Sequence, residues 1–136
     1  MQQTFYAVFD TNVLVSALMT NRTDSPTVSL LNYVLDGRIV LLYNDEIFKE
    51  YDEVLHRDKF SFSKERISSV LALVRLGLNM TRTSSEEFFA DPDDRVFYEV
   101  ALSKDGAYVV TGNQRHFPKT PIVVSPSEML RIIEDI

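Results

Sequence analysis

The sequence predicts an α/β fold built on a parallel sheet covered on both faces. Three observations lead there. The strand-like segments are continuous apolar runs, such as Phe5-Tyr6-Ala7-Val8-Phe9 and Ile39-Val40-Leu41-Leu42-Tyr43; alternation would mark a half-solvated strand, whereas continuity marks one buried on both sides. These runs alternate with segments of helical periodicity, the order that a parallel sheet requires. Polar residues capable of chemistry, Asp10 and Thr111-Gly112-Asn113, follow directly on apolar runs. Open parallel sheets gather ligands at the carboxyl ends of their strands.

The elements read in order as follows. A buried strand over Phe5–Phe9 ends at Asp10, and Thr11 to Met19 forms a short helix. Asn21 to Ser25 is a polar turn. Ser25-Pro26 supplies an N-cap and a proline at the first helical position. Val28, Leu31, Val34 and Leu35 then fall at helical spacing, and Gly37 closes the helix in the left-handed conformation. Ile39–Tyr43 is a second buried strand. Asn44 or Asp45 caps a helix with Ile47, Tyr51, Val54 and Leu55 on one side. Ser63 opens another, with Ile67, Val70, Leu71, Val74 and Leu78 inward. Thr81 to Ala90 is loop. Asp91-Pro92 starts a helix that runs through Lys104 and ends near Gly106. Ala107–Thr111 and Ile122–Val124 are further strands, and Ser125-Pro126 caps a last helix from about Ser127 to Glu134.

Composition limits the function. The 136 residues fit one domain, with 45% hydrophobic residues and only 4 Gly and 5 Pro, as in globular proteins. A chain of this size buries roughly two thirds of its unfolded surface, enough for an unaided core. There is no cysteine, which excludes disulfides, thiolate metal sites and cysteine nucleophiles. Met1-Gln2-Gln3-Thr4 lacks the basic-then-apolar pattern of a secretory signal. No run approaches the ~18 apolar residues of a membrane span. A cytoplasmic protein is expected. The net charge of −6 argues against binding nucleic acid by generic phosphate contacts, which calls for a basic surface. It suits a site made of clustered carboxylates, or a basic partner segment on another chain.

Most of the 20 acidic residues are expected on solvated helix faces. Three places differ. Asp10 follows a five-residue apolar strand and is held at a rigid sheet edge, where it either caps the next helix or serves a site; one oxygen can do each. Glu50 lies at the edge of the Ile47-Tyr51-Val54 stripe, while Glu46 and Glu53 lie far from it. A carboxylate at that edge is either a rim group reaching solvent or a functional one, since partial burial of a charge is costly without a partner. In Asp91-Pro92-Asp93-Asp94, Asp91 is suited to N-capping. Periodicity barely separates Asp93 from Asp94, and both gain from the helix dipole.

Phe9-Asp10-Thr11-Asn12-Val13-Leu14-Val15-Ser16-Ala17 resembles the opening motif of PIN domains. Glu50 on a mid-chain helix, Asp91-Pro92-Asp93-Asp94 before a helix, and Val110-Thr111-Gly112-Asn113 occur in the family's order. The resemblance covers residues 5 to about 130. It is nearest to the VapC-like toxins of bacterial and archaeal toxin–antitoxin pairs. It implies a single PIN-like domain over residues 1–136, a three-layer α/β/α sandwich around a parallel sheet of four or five strands. It also implies a metal-dependent ribonuclease acting on single-stranded RNA. Asp10, Glu50 and Asp94 match the family's acidic positions, so the resemblance selects Asp94 over Asp93. The fourth position, commonly Asp, is Asn113 here; an amide oxygen can ligate a hard cation but brings no charge. Thr11, Asn12 and Thr111 match polar positions that support the acidic ones. Arg115 and His116 stand close enough in sequence to Asn113 to touch substrate, or are plain surface residues. Oxygen-only donors imply Mg²⁺ or Mn²⁺, one or two ions. An antitoxin protein and a second copy of the chain are the implied partners.

Two kinds of rival reading stand beside this one. A PIN-fold binding module with a weakened site would act through protein contacts. Other α/β folds place an Asp after the first strand, but a haloacid-dehalogenase-type phosphatase wants Asp-x-Asp where this chain has Asp10-Thr11-Asn12. A receiver domain wants an acidic pair near the first strand and a Lys after a late one, where Val110-Thr111-Gly112 stands.

Overall fold

The computed structural model describes residues 3–135. Five strands, β1 (Phe5–Phe9), β2 (Ile39–Tyr43), β3 (Leu78–Asn79), β4 (Tyr108–Val110) and β5 (Val123–Val124), form one sheet in the order β3-β2-β1-β4-β5. Every pairing is parallel. Six helices, α1 (Thr11–Met19), α2 (Pro26–Leu35), α3 (Asp45–Leu55), α4 (Lys64–Arg75), α5 (Arg95–Leu102) and α6 (Pro126–Glu134), complete the fold. α2 packs on α1 and α6, and α3 packs on α4 and α5. The result is the expected three-layer α/β/α sandwich with a parallel five-stranded sheet.

Burial explains the continuous apolar strands. Ala7, Val8 and Phe9 of β1 and Leu41 and Leu42 of β2 are inaccessible or nearly so on both faces. The caps follow local chemistry. Asn44 accepts from the Ile47 amide at 2.9 Å to start α3, and Ser63 accepts from the Arg66 amide at 3.2 Å to start α4. Ser125 and Glu128 form a reciprocal capping box at α6. Gly37, at φ +81°, ends α2 in a Schellman turn, with Arg38 N–H donating to the Tyr33 carbonyl and Gly37 N–H to that of Val34. Gly77 meets another constraint. A Cβ built on it would stand 1.9 Å from the Leu41 carbonyl oxygen, so the chain entering β3 presses directly on β2.

Several expectations need correction. Ser25 occupies the N-cap position of α2, but its hydroxyl meets Thr27 and makes no capping bond to the helix backbone. The buried stripe of α2 is Thr27, Leu30 and Val34, while Leu35 is 67% exposed. Leu78 is not the end of a helix: α4 stops at Arg75, and Leu78 pairs with Leu42 as part of an edge strand. The helix expected from Pro92 to Lys104 begins as a 3₁₀ turn over Pro92–Asp94, capped by Asp91, and its α-helical part is Arg95–Leu102.

The site is placed by topology. The chain proceeds from β1 to β2 on one side and later returns to lay β4 on the other, so the strand order reverses between β1 and β4. Ligands bind at such a reversal, beyond the carboxyl ends of the strands. Asp10 and Thr111 are the first residues past those two ends, and they leave the sheet side by side: Phe9 registers with Val110, and the Asp10 amide donates to the Val110 carbonyl at 2.9 Å.

Candidate active site

Asp10 is buried, 8% exposed. It stands at the N-cap position of α1, yet its side chain makes no cap hydrogen bond to the helix. Its Oδ2 instead accepts from the Thr111 hydroxyl at 2.7 Å and from Asn12 Nδ2 at 3.3 Å. Burial raises the Asp10 carboxyl above the ordinary aspartate value, and the Thr111 hydroxyl, the Thr11 amide, His116 and Asn12 oppose that rise. One residue behind it, the buried Tyr51 hydroxyl donates to the Phe9 carbonyl, so α3 fixes the end of β1 from below. Burial, and then the nearby Asp10 and Glu50 carboxyls, hold the Tyr51 hydroxyl protonated far above pH 10.

α3 also brings Glu50 over the strand ends. Its Oε2 accepts from the Thr11 hydroxyl across 39 positions of sequence. Partial burial raises the Glu50 carboxyl; repulsion from Asp10 and Asp93 adds to this, and Thr11 and Arg57 oppose it. Asp94 closes the 3₁₀ turn before α5 with its side chain 18% exposed, 3.9 Å from His116 Nδ1. Its carboxyl is raised to about 6, by burial first and then by Asp10 and Asp91, with Glu50 adding a smaller push and His116 lowering it. Asp93 is exposed, so the turn sends Asp94 toward Asp10 and Asp93 toward solvent beside Glu50.

The supporting polar residues each touch an acidic one or its loop. Thr11 holds Glu50. Asn12 bridges strand ends, donating to Asp10 and accepting from the Gly112 amide at 3.2 Å. Thr111 donates to Asp10 and accepts from the Asn113 amide at 3.0 Å. The Asn113 side chain is exposed and shares a hollow of about 240 Å³ with Asn12, Ser16 and Thr27. The 3₁₀ turn Gln114–His116 follows. His116 faces Asp94, and Arg115 points into a larger hollow beyond it.

One expectation is not met as stated. Among the described residues, no three Asp, Glu or His side chains are arranged to close around one metal ion. Glu50 is turned to Thr11, and Asp10 to Thr111 and Asn12. The donors still fit a hard divalent cation by type: they are oxygen only, and partial burial makes their ionisation costly.

Two residues with roles near the site escape a reading of the sequence. Tyr51 sits in a regular apolar stripe and reads as core. Glu99, 6% exposed, accepts from Arg82 Nε at 2.9 Å and from the Ser85 amide at 2.8 Å. Arg95, the neighbour of Asp94, holds the Ser85 and Glu87 carbonyls at 2.6 and 2.8 Å. Together they clamp the 81–90 loop against α5. The available signal was an acid inside the Val96-Phe97-Tyr98-Val100-Ala101 run, four residues after an Arg; a buried carboxylate there requires a cation.

No curated protein and no solved structure gives a match. A family model described as PIN domain matches residues 6–115, a span holding Asp10, Glu50, Asp94, Thr111 and Asn113. PIN domains are generally nucleases, and they generally use divalent metal ions. With a matched region of that extent laid over a five-stranded parallel sheet, the chain belongs to the PIN-domain family.

Proposed function

We propose that this protein is a ribonuclease that hydrolyses phosphodiester bonds in single-stranded RNA with Mg²⁺ or Mn²⁺, acting as the VapC-like toxin of a toxin–antitoxin pair. The observation that carries the reading is the meeting of Asp10, Glu50 and Asp94. They come from three separate segments; Asp10 raises the cost of charging both Glu50 and Asp94, and Glu50 adds to that of Asp94. Carboxylates crowded in this way are poorly suited to structure alone and well suited to a cation. A bound divalent ion supplies a more acidic water and neutralises charge on the phosphate. Asp10 and Asp94 would hold it, fixed by Thr111, Asn12 and the α5 turn. Glu50 Oε1, the oxygen not engaged by Thr11, would accept the proton of the attacking water. His116, beside Asp94, would face the phosphate, and Arg115 the strand next to it.

An antitoxin with a basic segment suits the net charge of −6. A homodimer suits the exposed Leu35, Leu76 and Leu78, 67%, 76% and 41% accessible. Cytoplasmic location goes with the toxin reading; no described helix is long and apolar enough to cross a membrane.

The test is cleavage of single-stranded RNA by the purified protein with Mn²⁺ or Mg²⁺, stopped by EDTA. Asp10→Asn and Asp94→Asn should each abolish cutting with an unchanged circular dichroism spectrum. Cutting that survives both substitutions would place the chemistry elsewhere. Asn113 in place of a carboxylate, and the absence of a closed acidic trio among the described residues, favour a second reading, a PIN-fold binding module. In that case no saturable metal binding would be found at millimolar concentration.

A further inference from the structure

Three hollows flank the strand ends, and their charge changes steadily from one to the next. The hollow of about 300 Å³ beside Glu50 has four carboxylates, Glu46, Glu50, Glu53 and Asp93, against two cations, Lys49 and Arg57. The hollow beside Asn12 and Asn113 is lined by no charged residue. The third, about 530 Å³, is lined by Arg115 and Lys119 and by no acid. Its walls are Pro118, Pro121 and Val123. It begins at the Gln114–His116 turn, whose last residue lies 3.9 Å from Asp94. Its size falls within the roughly 300–1,000 Å³ of small-ligand sites.

Two further facts mark this hollow. Among the described residues the Arg115 and Lys119 side chains have no salt-bridge or hydrogen-bond partner, as is also so of Arg57, Arg131, Lys49 and Lys64; what sets the pair apart is that both line one hollow that has no acid in its lining. In a chain of net charge −6, two cations and no acid in the lining leave this hollow locally positive. The Thr120 hydroxyl, on the same wall, is buried without a hydrogen-bond partner.

We infer that the hollow between Arg115 and Lys119 holds the nucleotide flanking the scissile bond, with a backbone phosphate between the two cations and the base against Pro118 and Pro121. The inference rests on the ribonuclease reading and gives it a direction. RNA lies across the neutral hollow toward Arg115 and Lys119, and the acidic hollow beside Glu50 repels it. Substrate recognition is one-sided.

The experiment measures fluorescence anisotropy of a labelled 12-nucleotide single-stranded RNA with the whole chain, in EDTA, over a series of salt concentrations. The double variant Arg115→Ala/Lys119→Ala should bind about tenfold more weakly at low salt, and its log K against log salt slope should be shallower by about 0.7, for the one phosphate no longer neutralised on a single strand. The control Lys59→Ala/Lys64→Ala removes the same charge from the start of α4 and the turn before it, and should match the parent. Equal weakening by the control, or an unchanged slope in the double variant, would overturn the subsite while cleavage by the parent would keep the ribonuclease reading. Failure of the parent to bind or cut RNA would overturn both. A 12-residue poly-glutamate that binds in place of RNA and is lost in the double variant would assign the hollow to an acidic protein segment.

Discussion

Replacing Asp94 by Asn removes one charge from the crowded rim at nearly constant shape. The Asp94 carboxyl titrates at about 6 in place of 3.8, through burial and then repulsion from Asp10 and Asp91. At ~1.36 kcal/mol per pH unit, this is roughly 3 kcal/mol of unfavourable ionisation in the native chain at neutral pH. The side chain lies at an open rim, and solvent screening reduces the figure to about 1–2 kcal/mol. Loss of a carboxylate at the start of α5 offsets about 0.5 kcal/mol through the helix dipole. The net gain is about 1 kcal/mol, or ~3–5 °C in Tm. The sign follows from proton binding. Between pH 3.8 and about 6 the native carboxyl keeps a proton that the unfolded chain has released, so the parent loses stability as pH rises through that window. The Asn variant has no such loss. In EDTA, differential scanning calorimetry should show nearly equal Tm values at about pH 3.5 and a more stable variant at about pH 7.5. The same stabilised variant should cut no RNA. A variant less stable than the parent at the higher pH, or a difference independent of pH, would refute the account of crowded carboxylates.

Other substitutions probe the frame around the site. Gly77→Ala forces a Cβ to within 1.9 Å of the Leu41 carbonyl and should cost more than about 3 kcal/mol, read as a fall in the urea midpoint. Glu99→Gln weakens the clamp on Arg82 and the Ser85 amide; it should cost about 2 kcal/mol and speed hydrogen exchange at Ser85 above that at Phe9. Asn113→Asp adds a carboxylate beside Thr111. It should lower the Mn²⁺ concentration for half-maximal activity roughly tenfold and lower the Tm in EDTA, both measurable on one preparation.

How far the sequence reaches depends on whether the deciding force is local. β1 and β2 were legible because burial on both faces leaves a continuous apolar run. The α3, α4 and α6 caps were legible because Asn44, Ser63 and Ser125 bond amides within the next turn. Glu50 at the edge of its helical stripe was visible from periodicity. β3 was not: two residues, both exposed, become a strand only because Leu42 and Tyr43 offer an open edge. Leu35 fits the periodicity of α2, yet the helix rotates to bury Thr27. The separation of Asp94 from Asp93 lay in a 3₁₀ turn, whose tighter winding no α-helical spacing anticipates. The Thr11–Glu50 and Thr111–Asp10 contacts span 39 and 101 positions, and only the folded sheet order brings them together.

That last separation bears on how the protein comes into being. Asp10 is translated well before the strand that lies beside it and the threonine that grips it. A half-made chain can pair β1 with β2 but has nothing on the other side of β1. The cleft does not exist until β4 emerges and docks, so the site assembles only once the later strands have been made.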